Sequence, residues 1–372
     1  MNKKQLRILI APLDWGLGHV TRSIPLIRHI LSRGHAVVFA GNESQQKYMR
    51  SLYPQLHYVP LEGYNVSYSR SPYGMIPRIA LQIPKIRKKI REEQAWLQET
   101  IKTLNIDAVL SDNRYGLYSK LVPCVFITHQ LQVRTGYGKH LDHLLLRLHY
   151  RFIEKFTHCW IVDEQADQGL SGSLAHPSRL PRIGADYIGL LSQCAGKTVS
   201  ALPGKEFYVL ILLSGTEPQR SMLSELLWKK AVKSGQHIIF VEGSEKATAP
   251  ASIPAHISYH KRLNAGELTT AIEAASIVIC RSGYSSIMDL IALNKKAILI
   301  PTPGQTEQEY LGRHLGKQKI FMVSEQKKFD IQTSLVNASL FPFVHNKFSN
   351  SFQKHKAVLD HFLAGIGEGS SK

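Results

Sequence analysis

Apolar strand-like runs alternate with helical patterns along this chain, and the alternation starts twice. Residues 6–12 (LRILIAP) are a short apolar run, the sequence WGLGH follows, and apolar residues then recur at helical spacing up to Gly34. Residues 36–40 (AVVFA) are the next apolar run. A strand, a glycine loop, a helix and a second strand in this order are typical of the start of a doubly wound parallel sheet.

The same alternation restarts after residues 192–206, a small, polar, proline-containing stretch that is typical of a linker. Apolar runs predict strands at 108–111, 124–128 and 160–162 before it, and at 207–213, 237–241, 277–280 and 297–300 after it. The fold class predicted is α/β, with two Rossmann-like, doubly wound lobes (1–191 and 207–345) that face a cleft. Residues 346–365 predict an amphipathic helix that packs back across the lobes.

The charge of the chain points to an anionic partner. Its net charge is +18, and the first 200 residues hold 26 Lys and Arg against 14 Asp and Glu, or +12. Such an excess suits nucleic acid, an anionic membrane surface or a nucleotide sugar. Because no RNP, KH or zinc-finger signature is present, we do not expect nucleic acid binding.

The cysteine spacing and the apolar runs bear on the compartment. The four cysteines stand far apart without a CxxC pair, which favours neither a zinc site nor a disulfide framework. No apolar run approaches the length of a membrane span, and the amino terminus does not have the pattern of a secretory signal. We expect a cytoplasmic protein, peripheral on the inner face of the membrane if the following segment binds lipid.

Residues 75–91 predict a basic amphipathic helix. Isoleucines share one face, at Ile76, Ile79, Ile83, Ile86 and Ile90, and six basic residues precede the first acid. Pro84 is expected to kink this helix. The face either packs on the core under a solvated charged surface or lies on an anionic membrane. A second apolar face with basic neighbours, Leu141–Lys155, is a further candidate contact.

The loop after the first strand is the first candidate site. Gly16 and Gly18 allow a ligand to approach the backbone, and His19 lies where the loop enters the helix. His19 could serve as a general base, or it could simply cap the loop. The pattern is not the GxGxxG of dinucleotide-binding folds, since Thr21 replaces the third glycine.

Two loops in the second half of the chain are candidate phosphate-binding sites. After its first strand come Ser214, Gly215 and Thr216, with Arg220 four residues on; this loop either binds an anion or only caps a helix. A serine- and glycine-rich turn follows the strand at 277–280 and includes Arg281, Ser282, Gly283 and Ser285. Asp289 could accept from ribose hydroxyls, and the next strand leads to Gln305, Gln308 and Glu309.

The run CRSGYSSIMDLIALNKKAILIPTPGQTEQEY resembles the donor-site segment of the GT-B glycosyltransferases. It is most similar to the family of the lipid-II-forming UDP-N-acetylglucosaminyltransferase, with its family 28-like C-terminal donor domain. WGLGHVTRSIPL stands in the place of that family's first glycine-rich loop, and LILLSGTEPQR in the place of its second. Thr128-His129-Gln130 resembles an acceptor-side segment of the same family.

The resemblance implies a role for several of these residues. Ser282 and Gly283 would meet the diphosphate, and Asp289 stands where the family has its ribose-binding glutamate. Gln308 and Glu309 occupy the positions of two glutamines that read the sugar. His129 and Gln130 would lie on the acceptor side with Gly16 and Gly18, and His19 would lie near the reacting centre.

The predicted reaction is the inverting transfer of a sugar, with GlcNAc as the expected one, from a UDP-sugar to an acceptor hydroxyl. His19 or Asp112 would deprotonate an acceptor glycan or lipid. No cofactor or metal is expected besides the UDP-sugar, because helix termini and basic side chains would neutralise the leaving diphosphate and no DxD triplet occurs. The alternatives are a UDP-sugar 2-epimerase and a catalytically silent nucleotide-binding scaffold.

Overall fold

The structure is a computed structural model that describes residues 4–64, 81–133, 138–196 and 208–369. The chain divides into two compact units. The first unit holds the described residues up to Ser192 together with those from Asn350 onward, and the second unit holds Gln193–Ser349. The boundary therefore lies at the start of the predicted linker, whose residues 197–206 are outside the described ranges.

The described part of the first unit is built on one parallel sheet with the strand order β3-β2-β1-β4-β5-β6-β7. Its strands are β1 (Arg7–Pro12), β2 (Ala36–Gly41), β3 (His57–Pro60), β4 (Ala108–Asp112), β5 (Cys124–Thr128), β6 (His158–Ile161) and β7 (Gly184–Tyr187). The helices between them are α1 (Gly18–Ser32), α2 (Glu43–Leu52), α3 (Ile83–Leu104) and α4 (Lys139–Ile153). The chain winds outward from β1 in both directions, as in Rossmann-like folds.

Burial of the central strands stabilises this sheet. In β1, Ile8, Leu9, Ile10 and Ala11 are fully buried, which explains why the strand reads as a continuous apolar run rather than an alternating one. Complete burial of each large apolar side chain contributes about 1.5–3 kcal/mol. The register pairs Pro12 with Asp112, so β1 and β4 end side by side.

The second unit repeats the architecture with the strand order β10-β9-β8-β11-β12-β13, again parallel. Its strands are β8 (Val209–Leu212), β9 (Ile238–Val241), β10 (Ile257–His260), β11 (Ile277–Cys280), β12 (Ala297–Leu299) and β13 (Met322–Val323). Its helices are α5 (Gln219–Ser234), α6 (Ala265–Ala274), α7 (Tyr284–Ala292), α8 (Thr306–Lys317) and α9 (Ile331–Leu340). As in the first unit, the strand that opens the alternation lies inside the sheet.

The terminal helix α10 (Lys354–Gly369) belongs to the first unit. Asp360 accepts from His29 Nε2 at 2.7 Å and from Arg33 Nε at 2.8 Å, which joins α10 to α1. The ring of Phe362 lies edge-on to Trp160 of β6, with centroids 5.3 Å apart. The apolar face that the sequence predicted thus packs on the first unit.

The basic helix differs from the prediction at its start. Helix α3 begins at Ile83 and carries Pro84 in its first turn. Backbone N–H groups in the first turn have no partner within the helix, so a proline there removes no hydrogen bond. The predicted kink is therefore wrong. Residues 75–80 of the predicted helix lie outside the described ranges. Ile90 packs with Leu13 and Tyr64 in a small core cluster, whereas Ile83 is 45% exposed.

Within the described ranges, no helix combines the length and the apolar composition that crossing a bilayer requires.

Candidate active site

The carboxyl ends of β1 and β4 mark the point in the first sheet where the strand order reverses. The chain leaves β1 toward β2 and returns to the other side of β1 as β4. In open α/β sheets, ligands bind in the crevice outside such a point. Leu13 N donates to the carbonyl of Asp112 at 3.0 Å, which holds the glycine loop against the end of β4.

The glycine loop reaches α1 through a tight turn. Gly16 has a φ of +80°, a left-handed conformation that glycine adopts without strain, and its N–H donates to Asp14 O at 2.9 Å. Gly18 is the first residue of α1, and the preceding Leu17 provides no side-chain cap. His19 therefore lies in the first turn of the helix.

The side chains of His19, Arg22 and Asp112 form one cluster, in which Arg22 and Asp112 are buried and His19 is half-buried. His19 and Arg22 are three residues apart on α1 and so share a face. His19 Nδ1 lies 3.1 Å from Asp112 Oδ2, and Arg22 donates to the same oxygen from Nε at 2.6 Å and to Oδ1 from Nη2. The structure thus brings together the two predicted candidates for the base, with an arginine bound to one of them.

The electrostatics of the cluster separate the roles of His19 and Asp112. Burial disfavours the charge on Asp112, but the Arg22 guanidinium and the His19 ring hold the pKa of this carboxyl well below its usual range. Burial, and then the charge of Arg22, lower the pKa of His19 from its ordinary value of 6.5. Asp112 is therefore a permanent carboxylate and a weak base, whereas His19 is neutral at pH 7 and able to take a proton.

The two acceptor-side residues after β5 lie in different surroundings. His129 is buried, and its Nδ1 lies 2.9 Å from Arg22 Nη1, so His129 joins the cluster. The side chain of Gln130 donates to the carbonyl of Gln132 at 3.2 Å and so folds over its own loop. His129 is thus part of the buried network, whereas Gln130 is the more exposed of the two.

A second buried network lies beside this cluster, and the sequence did not predict it. Arg114 Nε donates to Glu93 Oε1 at 2.8 Å, and Tyr64 donates from its hydroxyl to Glu93 Oε2 at 2.8 Å. Arg114 also reaches the carbonyl of Pro12 at the end of β1, at 3.3 Å. Arg114 follows Asp112 by two residues, and an arginine so close to a strand end was a signal that sequence reasoning could have used.

The second sheet reverses its strand order between β8 and β11. The loop 213–218 follows β8, and the loop 281–283 follows β11, so the structure places both predicted phosphate loops at the reversal point of one sheet. In the first of these loops, Ser214 and Thr216 are half-buried, and Gly215 is exposed with a φ of +108°. These three residues are accessible from solvent.

Arg220 differs from its predicted role as a phosphate ligand. Its guanidinium donates to Glu242 Oε1 at 2.5 Å and to Glu217 Oε1 at 2.8 Å, and it also contacts the hydroxyl of Ser221. Arg220 and Glu242 are both buried. Its N–H groups are thus engaged by Glu217, Ser221 and Glu242.

Arg281 is also buried, but no acidic side chain among the described residues balances its charge. Its guanidinium donates to the carbonyls of Ile300 at 3.1 Å and Gln219 at 3.0 Å and to Gln326 Oε1 at 2.8 Å. Among the described residues, no carboxylate lies within ion-pair distance of it. Burial lowers the pKa of Arg281 to about 10, which leaves it charged at neutral pH. A buried positive charge at the carboxyl edge of the sheet favours an anion there.

The turn after β11 leads directly into α7. Ser282 is fully buried and donates to the carbonyl of Gln308 at 2.8 Å. Gly283 is the N-cap residue of α7, and a β-carbon there would meet no atom within 4 Å. Gly283 and Ser285 are half-buried, so the first turn of α7 offers backbone N–H groups next to accessible space.

The glutamine and glutamate of the next loop have different partners. Gln308 is buried, and its Oε1 accepts from Thr302 N at 3.0 Å and from the Thr302 hydroxyl at 2.9 Å. Glu309 is half-buried and accepts from Gly304 N at 2.8 Å. Gln305 is the half-buried N-cap residue of α8. Gln308 therefore shapes the loop from within, whereas Gln305 and Glu309 are accessible to a ligand.

Asp289 lies on the second turn of α7, 9% exposed, and its Oδ2 faces Gln193 Nε2 at 3.4 Å. Gln193 comes from the start of the predicted linker and was not singled out by the sequence.

In the parts of the chain that the structure describes, no group of three or more His, Cys, Asp or Glu side chains has the geometry to hold a metal ion.

Comparisons with known proteins match the second part of the chain to a family domain. Residues 222–362 match the model of the glycosyltransferase family 28 C-terminal domain. This range contains the predicted donor residues from Arg281 to Glu309. An uncharacterized glycosyltransferase of Methanosarcina mazei is 22% identical over 327 residues, which is 82% of this chain and 82% of that protein.

Solved structures show the same fold along nearly the whole chain. The glycosyltransferase SnogD from Streptomyces nogalater superimposes with a TM-score of 0.59 at 13% identity and covers 98% of this chain and 100% of its own. MurG of Acinetobacter baumannii does so with a TM-score of 0.56 at 13% identity, over 97% of this chain and 100% of its own. Residues 222–362 are thus a family 28 C-terminal domain, and the chain is a glycosyltransferase with the GT-B fold of two Rossmann-like lobes.

Proposed function

We propose that this glycosyltransferase moves a sugar from a UDP-sugar to an acceptor hydroxyl, with inversion at the anomeric carbon and His19 as the general base. The observation that carries the proposal is the pair formed by His19 and Asp112 at the end of β4. Because Asp112 is ionised, His19 Nδ1 donates to it and Nε2 keeps its lone pair. Among the described residues, Nε2 has no protein partner, which leaves it for the acceptor.

The proposed reaction is a direct displacement. The acceptor oxygen gives its proton to His19 Nε2 and forms the new bond to the anomeric carbon, while the bond from that carbon to the diphosphate breaks. The electron pair leaves with the diphosphate, and the products are an inverted glycoside and UDP. A positioned base of this kind contributes about 10²–10⁴-fold to the rate.

The second unit is proposed to bind the donor. The charge of Arg281 and the N–H groups at the start of α7 would stabilise the diphosphate without a metal ion. Asp289 would accept from the ribose, and Gln305 and Glu309 would contact the sugar. Two proteins of the same fold support a nucleotide-sugar donor in general: UGT89C1 of Arabidopsis thaliana was solved with UDP-L-rhamnose, and the spinosyn rhamnosyltransferase SpnG with thymidine diphosphate.

A panel of donors tests this proposal. UDP-, GDP- and dTDP-sugars, led by UDP-GlcNAc, are compared by thermal shift and then by turnover with hydroxyl acceptors, with and without EDTA. A ligand at 100 times its Kd adds about 2.7 kcal/mol to the stability of the folded state. We expect UDP-sugars alone to stabilise the protein and EDTA to leave turnover unchanged. Interconversion of two UDP-sugars without a glycoside would identify an epimerase, and UDP binding without turnover would identify a silent scaffold.

We further propose that the acceptor is linked to a lipid at the inner face of an anionic membrane. A groove of about 570 Å³ lies between α3 and α4 of the first unit. Ile90, Leu148 and Phe152 give it an apolar lining. The basic residues along it are Arg87, Arg91, Arg151 and Lys155, all exposed. Among the described lining residues none is acidic, which suits phosphate groups above acyl chains.

A further inference from the structure

We propose that Arg22 is a positioning residue that sets opposite tautomers on two histidines of the site. It does so by binding Asp112 and His129 at the same time, through different nitrogens of one guanidinium. His19 then carries its proton on Nδ1, and His129 carries its proton on Nε2. This inference rests on the proposed role of His19 as the base.

The tautomer of His129 follows from the chemistry of the guanidinium. Arginine has five N–H donors and no acceptor, so the contact of 2.9 Å from Arg22 Nη1 requires an unprotonated Nδ1 on His129. A neutral histidine with an unprotonated Nδ1 carries its proton on Nε2. His129 is therefore a donor from Nε2.

The tautomer of His19 follows from Asp112. Arg22 engages both oxygens of this carboxylate and keeps it ionised, so that Oδ2 can only accept from His19 Nδ1. The geometry assigns a proton acceptor to His19 Nε2 and a proton donor to His129 Nε2: Arg22 contacts the second ring directly and the first through Asp112.

Burial, and then the charge of Arg22, lower the pKa of His19 and so favour its neutral form before the reaction. The charged and titratable groups that face His19 are Arg22 from α1, Asp112 from β4 and His129 from the loop after β5. With Arg22 present, the charge of Asp112 is balanced, and the pKa of His19 lies below its ordinary value. Without Arg22, the unbalanced carboxylate would hold a proton on His19 and so block the base.

The fork shape of arginine explains why lysine would not replace it fully. A lysine ammonium is a compact point charge that cannot donate in a plane to a carboxylate and reach an imidazole as well. Arg22 is 2% exposed, and this burial fixes its orientation toward both partners. Charge and fork geometry can therefore be separated by substitution.

The direct test is ¹⁵N NMR of the full chain with labelled histidine, which needs neither a variant of Arg22 nor activity. The signals of His19 and His129 are assigned with His19→Gln and His129→Gln. We expect protonation on Nδ1 of His19 and on Nε2 of His129. The same tautomer on both rings, or the reverse assignment, overturns the proposal.

The second test is the pH dependence of kcat/KM, or of the His19 signal if turnover is too slow. Arg22→Gln should move the acidic limb to higher pH by about one unit or more, and Arg22→Lys should restore its position in part. Arg28→Gln, an exposed site on the same helix, is the matched control. If Arg22→Gln loses activity while the acidic limb of the pH profile and the titration of His19 keep their wild-type positions, Arg22 is only structural. Survival of turnover in His19→Ala would instead refute the proposed base, while the NMR assignment still decides the role of Arg22.

Discussion

Ser282 Oγ donates to the backbone carbonyl of Gln308 at 2.8 Å and thereby joins the turn after β11 to helix α8. The side chain of the same glutamine accepts twice from Thr302, so Gln308 connects three segments at the carboxyl edge of the second sheet. The resemblance to the donor-site segment predicted that both Gln308 and Glu309 read the sugar. The structure separates them, because Gln308 is buried and Glu309 is half-buried.

This separation makes a prediction about two neighbouring residues. Gln308→Ala should lower the free energy of unfolding by about 1–3 kcal/mol, because Thr302 N would lose its partner in a buried position. Glu309→Gln keeps an oxygen for Gly304 N and should leave stability unchanged while it alters the preference among UDP-sugars. Urea unfolding and competition between donors measure the two effects. A stability loss in Glu309→Gln, or altered donor preference with full stability in Gln308→Ala, would reverse the assignment.

Asp289→Asn should weaken UDP binding at least about tenfold and leave the fold intact. The carboxylate can accept two ribose hydroxyls, whereas the amide offers one acceptor and remains able to contact Gln193. Isothermal titration with UDP measures the affinity, and the thermal midpoint serves as the control for folding. Equal UDP affinity in the variant and the wild type would remove Asp289 from the ribose site.

Arg220→Met should act on stability rather than on the donor. It leaves Glu242 buried without its partner, and breaking a buried ion pair in this way costs about 3–5 kcal/mol. We expect a much lower urea midpoint and, below the transition, a nearly unchanged KM for the UDP-sugar. A large rise in KM at wild-type stability would show instead that Arg220 contacts phosphate.

Charge reversal in the groove between α3 and α4 tests the membrane proposal. Arg87, Arg91 and Arg151 changed to Glu should abolish binding to anionic liposomes, while UDP binding persists. Lys229, Lys230 and Lys233 of α5, changed to Glu, carry the same charge difference on the second unit and should retain binding. Wild-type binding should fall with added salt, since the screening length is about 8 Å at physiological ionic strength. Equal binding of the two triple variants would argue that only net charge matters.

The strands and the sheet class could be predicted from sequence because buried parallel strands read as continuous apolar runs. β5 and β11 begin and end at the predicted residues. The strands β3, β7, β10 and β13 were not predicted, since they lie at sheet edges and are short and partly exposed. Helix α2 was missed for a similar reason: only Gln45 and Met49 of its ten residues are buried, so it has little apolar periodicity.

The candidate site was predictable where a residue type carries its chemistry alone, as for His19 and Asp112. It was not predictable where pairing decides the role. Arg220 and Arg281 look alike in sequence, and only the structure shows that Glu217 and Glu242 neutralise the first, whereas the described residues provide no acid for the second. The partnership of Arg22 with Asp112 joins residues 90 positions apart, and no local pattern indicates it.

The measurement that tests the central claim most directly is the pH profile of kcat/KM for the acceptor, for the wild type and His19→Ala at saturating UDP-sugar. Because the pKa of His19 lies below 6.5, the wild-type rate should rise with pH through an inflection below that value and then level off. His19→Ala should lose about 10²-fold or more in kcat, lose this inflection and keep its affinity for UDP. A variant that retains wild-type turnover and the same acidic limb would contradict the assignment of His19 as the base.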